Sequence, residues 1–236
     1  MSPRHLAFGC ATTVLAATVL ATAVPAYAAV EGHAYVTGTT LVVQAGQGVA
    51  NTLVVSPVSG GIRVDDSWPV LPGSGCAALT PTSVLCTAKI TDLSIKTYDG
   101  ADTVTDSTSL TAFIGAGEGD DLVYALSGGA KLVYGESGDD KLATGAGSDK
   151  LYGQAGADRL YGGDDADYLA GADGDDVLYG QAGADIAEGG PGADEIFGGD
   201  DDDSLYGDAG FDALDGGSGT DSCAPGADGA SLTGCP

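Results

Sequence analysis

The chain has 236 residues, with 34 acidic against 8 basic side chains, a net charge of −26, and 40 glycines. So acidic a chain with no basic patch excludes nucleic acid as a partner, because a polyanion is repelled. The 43% hydrophobic content argues against a purely solvated acidic tail and for a fold that takes its counter-charge from outside, with multivalent cations the obvious supply.

Residues 1–28 read as an export signal. Arg4 supplies a short positive start, Leu6 to Val24 is an uncharged run, and Ala26-Tyr27-Ala28 is a small-x-small site with cleavage expected after Ala28. The run is also long enough to span a bilayer if left uncleaved. Once cleaved, the chain has no stable membrane insertion and is secreted. Cys10 lacks the preceding leucine of a lipobox, so lipidation is not expected. Losing Arg4 leaves 7 basic side chains against 34 acidic, a mature charge of −27.

Residues 29–96 are strand-like throughout, as in HAYVTGTTLVV, NTLVVSPV and SVLCTAKITDLSIKT. This is too little chain for a typical enzyme domain. It reads as the metal-free start of the architecture that follows, the alternative being a small independent β-sandwich. Four cysteines remain in the mature chain, which points to disulfides in an exported protein and allows three pairings. The local pairs, Cys76 with Cys86 and Cys223 with Cys235, are the economical choice, each contributing roughly 3 kcal/mol through chain entropy. Trp68 in DSWPVLPG reads as a packing or turn residue, and His33 as a surface residue near a strand start.

From Gly135 to Ala224 the chain divides into ten consecutive nonads without insertion or deletion. Position six is aspartate in all ten, position one glycine in nine, position four glycine in eight, and position eight Leu or Ile in eight. Upstream the pattern fades. AGEGDDLVY at 116–124 obeys it with Asp121, ALSGGAKLV lacks the aspartate, TYDGADTVT at 97–105 keeps only its second half, and GQGVANTLV at 46–54 is a worn copy with Asn51 in the aspartate slot.

Each position has a physical reading. Glycines at one and four supply positive φ and close backbone approach for a tight turn. Position eight, between outward-facing seven and nine, is the inward residue of a three-residue strand. Two nonads then make a flattened coil of eighteen residues, and coils stack about 4.8 Å apart as a right-handed parallel β-roll. Stacking sets Asp140, Asp158, Asp176, Asp194 and Asp212 along one edge and Asp149, Asp167, Asp185, Asp203 and Asp221 along the other. Like charges so close need a cation between them. Calcium, a hard ion of loose geometry, suits the gap better than magnesium. Four gaps in each column give about eight ions, which would offset roughly 16 of the 27 negative charges.

The motif resembles that of the repeats-in-toxin, or haemolysin-type, calcium-binding proteins. Their GGxGxDxUx nonapeptide is matched without departure by GGPGADEIF at 189–197. The resemblance covers 97–224 clearly and implies an all-β parallel β-roll in which Asp121 and the aspartates from Asp140 to Asp221 are carboxylate ligands. It implies carbonyl ligation by Gly153, Gly162, Gly171, Gly180, Gly189, Gly198, Gly207 and Gly216. Asp165 and Asp201 depart from the second invariant glycine. Residues 225–236 are then a capping tail. The leader also departs from members that leave Gram-negative cells in one step, and favours general secretion with folding outside.

No catalytic constellation accompanies the repeats. HExxH cannot occur with His33 the only mature histidine, and GxSxG and GxxxxGK are absent. The closely spaced carboxylates read as ligands before a glycosidase pair. At position nine, Tyr161, Tyr179 and Phe197 should stack in a column, which either stabilises the sheet or offers a flat strip for sugar rings. On the opposite face Tyr152 and Tyr206 are interrupted by Ala170 and Glu188, so these two are expected to form no strip. The reading is a secreted, non-enzymatic calcium-binding β-roll with a structural, adhesive or surface-associated role. Cell-wall or capsular polysaccharide or a surface protein is the expected partner, and the alternative is a polysaccharide-binding or polysaccharide-acting accessory module.

Overall fold

The computed structural model describes residues 31–235, so the export signal and its cleavage after Ala28 lie outside the described residues. Among these every element is a strand, and no helix is long and apolar enough to cross a membrane.

The strands alternate between two sheets. The first contains the parallel run Thr40–Gln44, Asp92–Lys96, Thr111–Glu118, Lys131–Ser137, Lys150–Ala155, Tyr168–Asp173, Ile186–Pro191, Ser204–Ala209 and Ser222–Ala224. The second contains Thr52–Val58, Thr103–Asp106, Leu122–Ala125, Lys141–Thr144, Arg159–Asp164, Val177–Ala182, Glu195–Asp200, Asp212–Ser218 and Ala230–Thr233. Leu160 lies opposite Leu142 and Leu178, and Leu151 opposite Leu169, so each coil is eighteen residues and the chain is a parallel β-roll. Upstream the spacing is nineteen, with Leu122 opposite Thr103 and Lys141.

The repeat strands run longer than three residues. Lys150–Ala155 and its equivalents continue from position seven into position three of the next nonad, bending at position two, where Gln154, Ala172, Gln181 and Asp208 have positive φ. The expectation for position one is therefore corrected: those glycines are outside the left-handed region, which belongs to positions two and four. Asp165 and Asp201 hold position four at φ 76° and 80°, a conformation aspartate adopts more readily than most residues.

The core is a double file of position-eight side chains. Leu142, Leu160, Leu178, Ile196 and Leu214 come from one sheet and Leu151, Leu169, Ala187 and Leu205 from the other, all buried. Each contributes on the order of 1.5–3 kcal/mol for a fully buried aliphatic, less for alanine. Upstream strands bury more than one: Leu41 with Val43, Leu53 with Val55, Leu93 with Ile95, and Ala112 with Ile114 and Ala116.

The roll begins at Thr40, because Leu41 pairs with Leu93 and Leu53 with Val104. Between those coils the chain loops out antiparallel strands that extend both sheets. Gly32–Thr37 pairs with Thr40–Gln44, and Gly61–Asp65, Ser83–Cys86 and Cys76–Thr80 extend the second sheet. Cys76 is bonded to Cys86 within this extension. At the far end Cys223, half-buried, is bonded to Cys235, and part of the tail, Ala230–Thr233, adds a strand beside Asp212–Ser218. Trp68 is partly exposed with its indole N–H donating to the Ala50 carbonyl, and His33 is exposed on its strand.

Candidate metal centre

The position-six aspartates stand at the two edges where the chain crosses between sheets, and all ten are buried. Stacking gives each carboxylate one fixed task. The backbone N–H of Asp140 donates to Oδ1 of Asp158, Asp158 to Asp176, Asp176 to Asp194 and Asp194 to Asp212, at 2.8–3.1 Å. Along the other edge Asp149 donates to Asp167, Asp167 to Asp185, Asp185 to Asp203 and Asp203 to Asp221, at 2.8–3.0 Å. A residue without a side-chain acceptor at position six would leave a buried N–H of the preceding coil unpaired.

The second oxygen has no partner. Oδ2 of every one of these aspartates is buried without a hydrogen bond. Nine of the ten face the position-one glycine of their own turn, Asp149 having Thr144 there, and a methyl carbon added to Gly180 would collide with Oδ2 of Asp185 and lie 2.6 Å from the Gly198 carbonyl. Gly162 relates in the same way to Asp167 and the Gly180 carbonyl, and Gly198 to Asp203 and the Gly216 carbonyl. At these nine turns position one is glycine because the space beside Oδ2 is already crowded by oxygen. Among the described residues no group of three or more His, Cys, Asp or Glu side chains converges, so the donors at each cradle are one orphaned carboxylate oxygen and backbone carbonyls. An orphaned anionic oxygen beside carbonyls fits a hard cation and repels an anion.

Without a cation the carboxylates resist ionisation. Loss of solvation, reinforced by neighbouring carboxylates, pushes Asp140 and Asp167 up to about 8 and Asp176 to about 7. The same causes push Asp185 to about 7, and Asp194 and Asp203 to about 6. Asp158 also rises to about 6.

The edge that begins at Asp140 extends further than the nonads suggest. Asn51 donates to Asp102, Asp102 to Asp121 and Asp121 to Asp140. Loss of solvation raises Asp121 to about 7 and Asp102 above the usual range. Asp102 was overlooked although it stands sixth in TYDGADTVT; only the missing glycine disguised it. Position one differs here: Thr97 stands beside Asp102 and Ala116 beside Asp121. The other edge opens with a second surprise. Lys131, not Ala130, fills the aspartate slot, because its N–H donates to Oδ1 of Asp149. The nineteen-residue coil hid this alignment. An exposed row at position five was also missed, with Asp139, Asp175 and Asp202 accepting from Ala157, Ala193 and Thr220.

On the outer faces, Tyr161, Tyr179 and Phe197 stack at 4.9 Å. On the opposite face Tyr152 and Tyr206 do not stack together, but Tyr152 belongs to a row that the nonads did not show, Phe113, Tyr134, Tyr152 and Tyr168 at 4.8–5.8 Å. The row runs upstream from Tyr152, and Tyr168 at position seven leans into the space left by Ala170. Its hydroxyl is held by Glu188 at 2.7 Å.

A family model described as the RTX calcium-binding nonapeptide repeat, in four copies, matches residues 134–169, 161–196 and 188–223. No curated protein and no solved structure matches the chain.

Proposed function

We propose that this chain, whose residues 134–223 are RTX calcium-binding nonapeptide repeats, is a secreted protein assembled by extracellular calcium and used in a structural or adhesive role rather than in catalysis. The observation that carries this reading is the row of orphaned Oδ2 atoms. Asp140, Asp158, Asp167, Asp176, Asp185, Asp194, Asp203, Asp212 and Asp221 would hold the ions, with carbonyls such as those of Gly153, Gly180, Gly198 and Gly216. Calcium would supply about two positive charges per site, in about eight sites if the Asp149 turn also takes an ion and about seven if it does not, against carboxylates that burial otherwise keeps from ionising. The chain's own part is to set Oδ1 by the ladder bond and to keep position one empty. Residues 29–96 belong to this architecture as its metal-free start, and cleavage after Ala28 would release it.

Circular dichroism tests the reading. The chain should gain β signal when millimolar calcium replaces chelator, and little with equal magnesium. A spectrum in chelator identical to the calcium spectrum would overturn it.

A second reading is favoured by one feature of the aromatic face. The stack is broken at Ala143, where a cleft of about 290 Å³ is lined by Tyr124, Leu126, Lys141, Thr144 and Tyr161. Lys141 lies 5.7 Å and 5.3 Å from the two tyrosine rings. An aromatic-walled notch with one ammonium suits an acidic sugar ring. Pull-down against cell-wall and capsular glycans, with Lys141→Ala as control, tests it; equal retention of both chains would dismiss it.

A further inference from the structure

Lys131 is an oddity in a protein so acidic: a lysine buried to 2% exposure, in the slot that aspartate fills at every later turn of its edge. Its ammonium is held by the carbonyls of Leu110 at 2.6 Å and of Thr108 and Gly128 at 3.3 Å, with the buried Asp106 carboxylate 3.3 Å away. Three carbonyls and a carboxylate are, in kind, the donors that a glycine-walled cradle offers an ion. A buried lysine costs several kcal/mol unless it is so surrounded. The chain has thus replaced an aspartate-plus-ion by a single tethered cation.

Neighbouring cradles are altered to match. At Thr144, the one exception to position-one glycine in the ten nonads, the side-chain hydroxyl donates to the Gly162 carbonyl at 2.7 Å and stands beside Asp149. It therefore occupies the space that Gly162 and Gly180 leave open one and two turns later. Thr97 does the same with the Ala116 carbonyl beside Asp102, and Ala116 puts a methyl at position one of the Asp121 turn. Two strands just upstream also bury more apolar surface than a repeat strand does, Leu93 with Ile95 in one and Ala112, Ile114 and Ala116 in the other.

We propose that Lys131 is a built-in counter-ion and that Thr97, Ala116 and Thr144 plug the adjoining cradles, so that residues 31–131 fold without metal and template the calcium-filled coils below. The inference rests on the calcium reading only for the coils after Gly135. The lysine supplies its charge from a covalent tether, the hydroxyls of Thr97 and Thr144 satisfy carbonyls that would otherwise face a void, and the Ala116 methyl only takes up space. A parallel strand adds most easily to an edge already formed, since the entropy of nucleation has been met.

Two variants of the full chain test it, by hydrogen exchange in chelator and by counting bound calcium in equilibrium dialysis. The unaltered chain should show protected amides across 31–131 in chelator and fast exchange across 153–224. Lys131→Met should speed exchange over 92–131 by about tenfold or more. Thr144→Gly, which opens the space beside Asp149, should bind one calcium more than the unaltered chain. Equal exchange in Lys131→Met, or an unchanged ion count in Thr144→Gly, would overturn the proposal. A Lys131→Met chain that fails to fold even with calcium leaves Thr144→Gly to decide. An unaltered chain that binds no calcium at all sinks the calcium reading alone, and the chelator comparison of Lys131→Met still judges the tethered cation. Uniform fast exchange in chelator, with calcium binding intact, sinks the tethered cation alone.

Discussion

Replacing Asp185 by asparagine should change stability in opposite directions with and without calcium. Asp185 is the central member of its edge, accepting the Asp167 N–H on Oδ1 at 2.8 Å while its Oδ2 has no partner. Asparagine keeps the shape, and its carbonyl can keep the ladder bond. Its amide can donate toward the crowded carbonyls where the carboxylate cannot. Burial pushes Asp185 up to about 7 from its ordinary 3.8, a shift of about three units, or on the order of 4 kcal/mol as an upper bound.

A carboxyl raised in the folded state binds more protons folded than unfolded between those values. The metal-free roll is therefore most stable below pH 4 and loses stability as pH rises through about 7. In chelator, Asp185→Asn removes that loss, so the pH at which the coils after Gly135 melt should move upward. In saturating calcium the same change deletes a charged ligand, and a site filled at a hundred times its dissociation constant is worth about 2.7 kcal/mol. Urea titrations followed by circular dichroism, in chelator from pH 4 to 8 and in calcium at pH 7.5, read both signs. If the variant is weaker in both conditions, the aspartate serves only its hydrogen bond and the orphaned oxygen is no ligand.

Asp176→Ala should lower calcium stoichiometry and the unfolding midpoint more than Asp221→Ala, measured by calorimetry, because Asp176 has stacked turns on both sides and Asp221 only one donor, Asp203; equal losses would argue against sites shared between coils. Gly180→Ala should cost at least one bound ion in the same experiment, since the added methyl meets Oδ2 of Asp185 and the Gly198 carbonyl; an unchanged count would move the site elsewhere. Cys235→Ser should fray the last coil and give calcium-dependent oligomers on size-exclusion chromatography, because the bond to Cys223 holds the final strand over exposed sheet edges; an unchanged monomer would dismiss the capping role.

The roll and the aspartate edges were legible because the nonads are unbroken from Gly135 to Ala224, and an eighteen-residue register follows from arithmetic. What the sequence hid lies where one residue is added. The extra residue of that coil lies between Ala125 and Lys131, so that Lys131, Val133 and Tyr134 stand at positions six, eight and nine beside Asp149, Leu151 and Tyr152, whereas counting nine residues on from Tyr124 leaves Ala130 as the apparent occupant of the aspartate slot. The assignment of positive φ to position one failed for a different reason. Glycine is required at a site either for backbone freedom or for the room a side chain would take, and the letter G does not say which. Only the oxygen atoms around Gly162, Gly180 and Gly198 decide for room. The second aromatic row is not legible in the nonads because Tyr134 and Phe113, the partners upstream of Tyr152, lie in degenerate coils where no unbroken repeat sets the register.

The two halves of the roll solve one problem twice. A coil of eighteen residues with one inward side chain per strand gains little apolar burial for the backbone order it requires, and the aspartates beside that thin core make matters worse by holding charge out of water. Such coils are stable only when something supplies positive charge at each turn. Before Gly135 the sequence supplies it from within, through Lys131, and widens the core with pairs such as Leu93 and Ile95. After Gly135 it withholds both, so that on the reading proposed above folding would be conditional on an ion from the surroundings. A chain built wholly in the first manner would fold wherever it was made; one built wholly in the second would have to nucleate its first coil against entropy and charge together. Placing the unconditional coils first would give the conditional ones an edge to grow upon, and would make calcium the signal for growth rather than for nucleation.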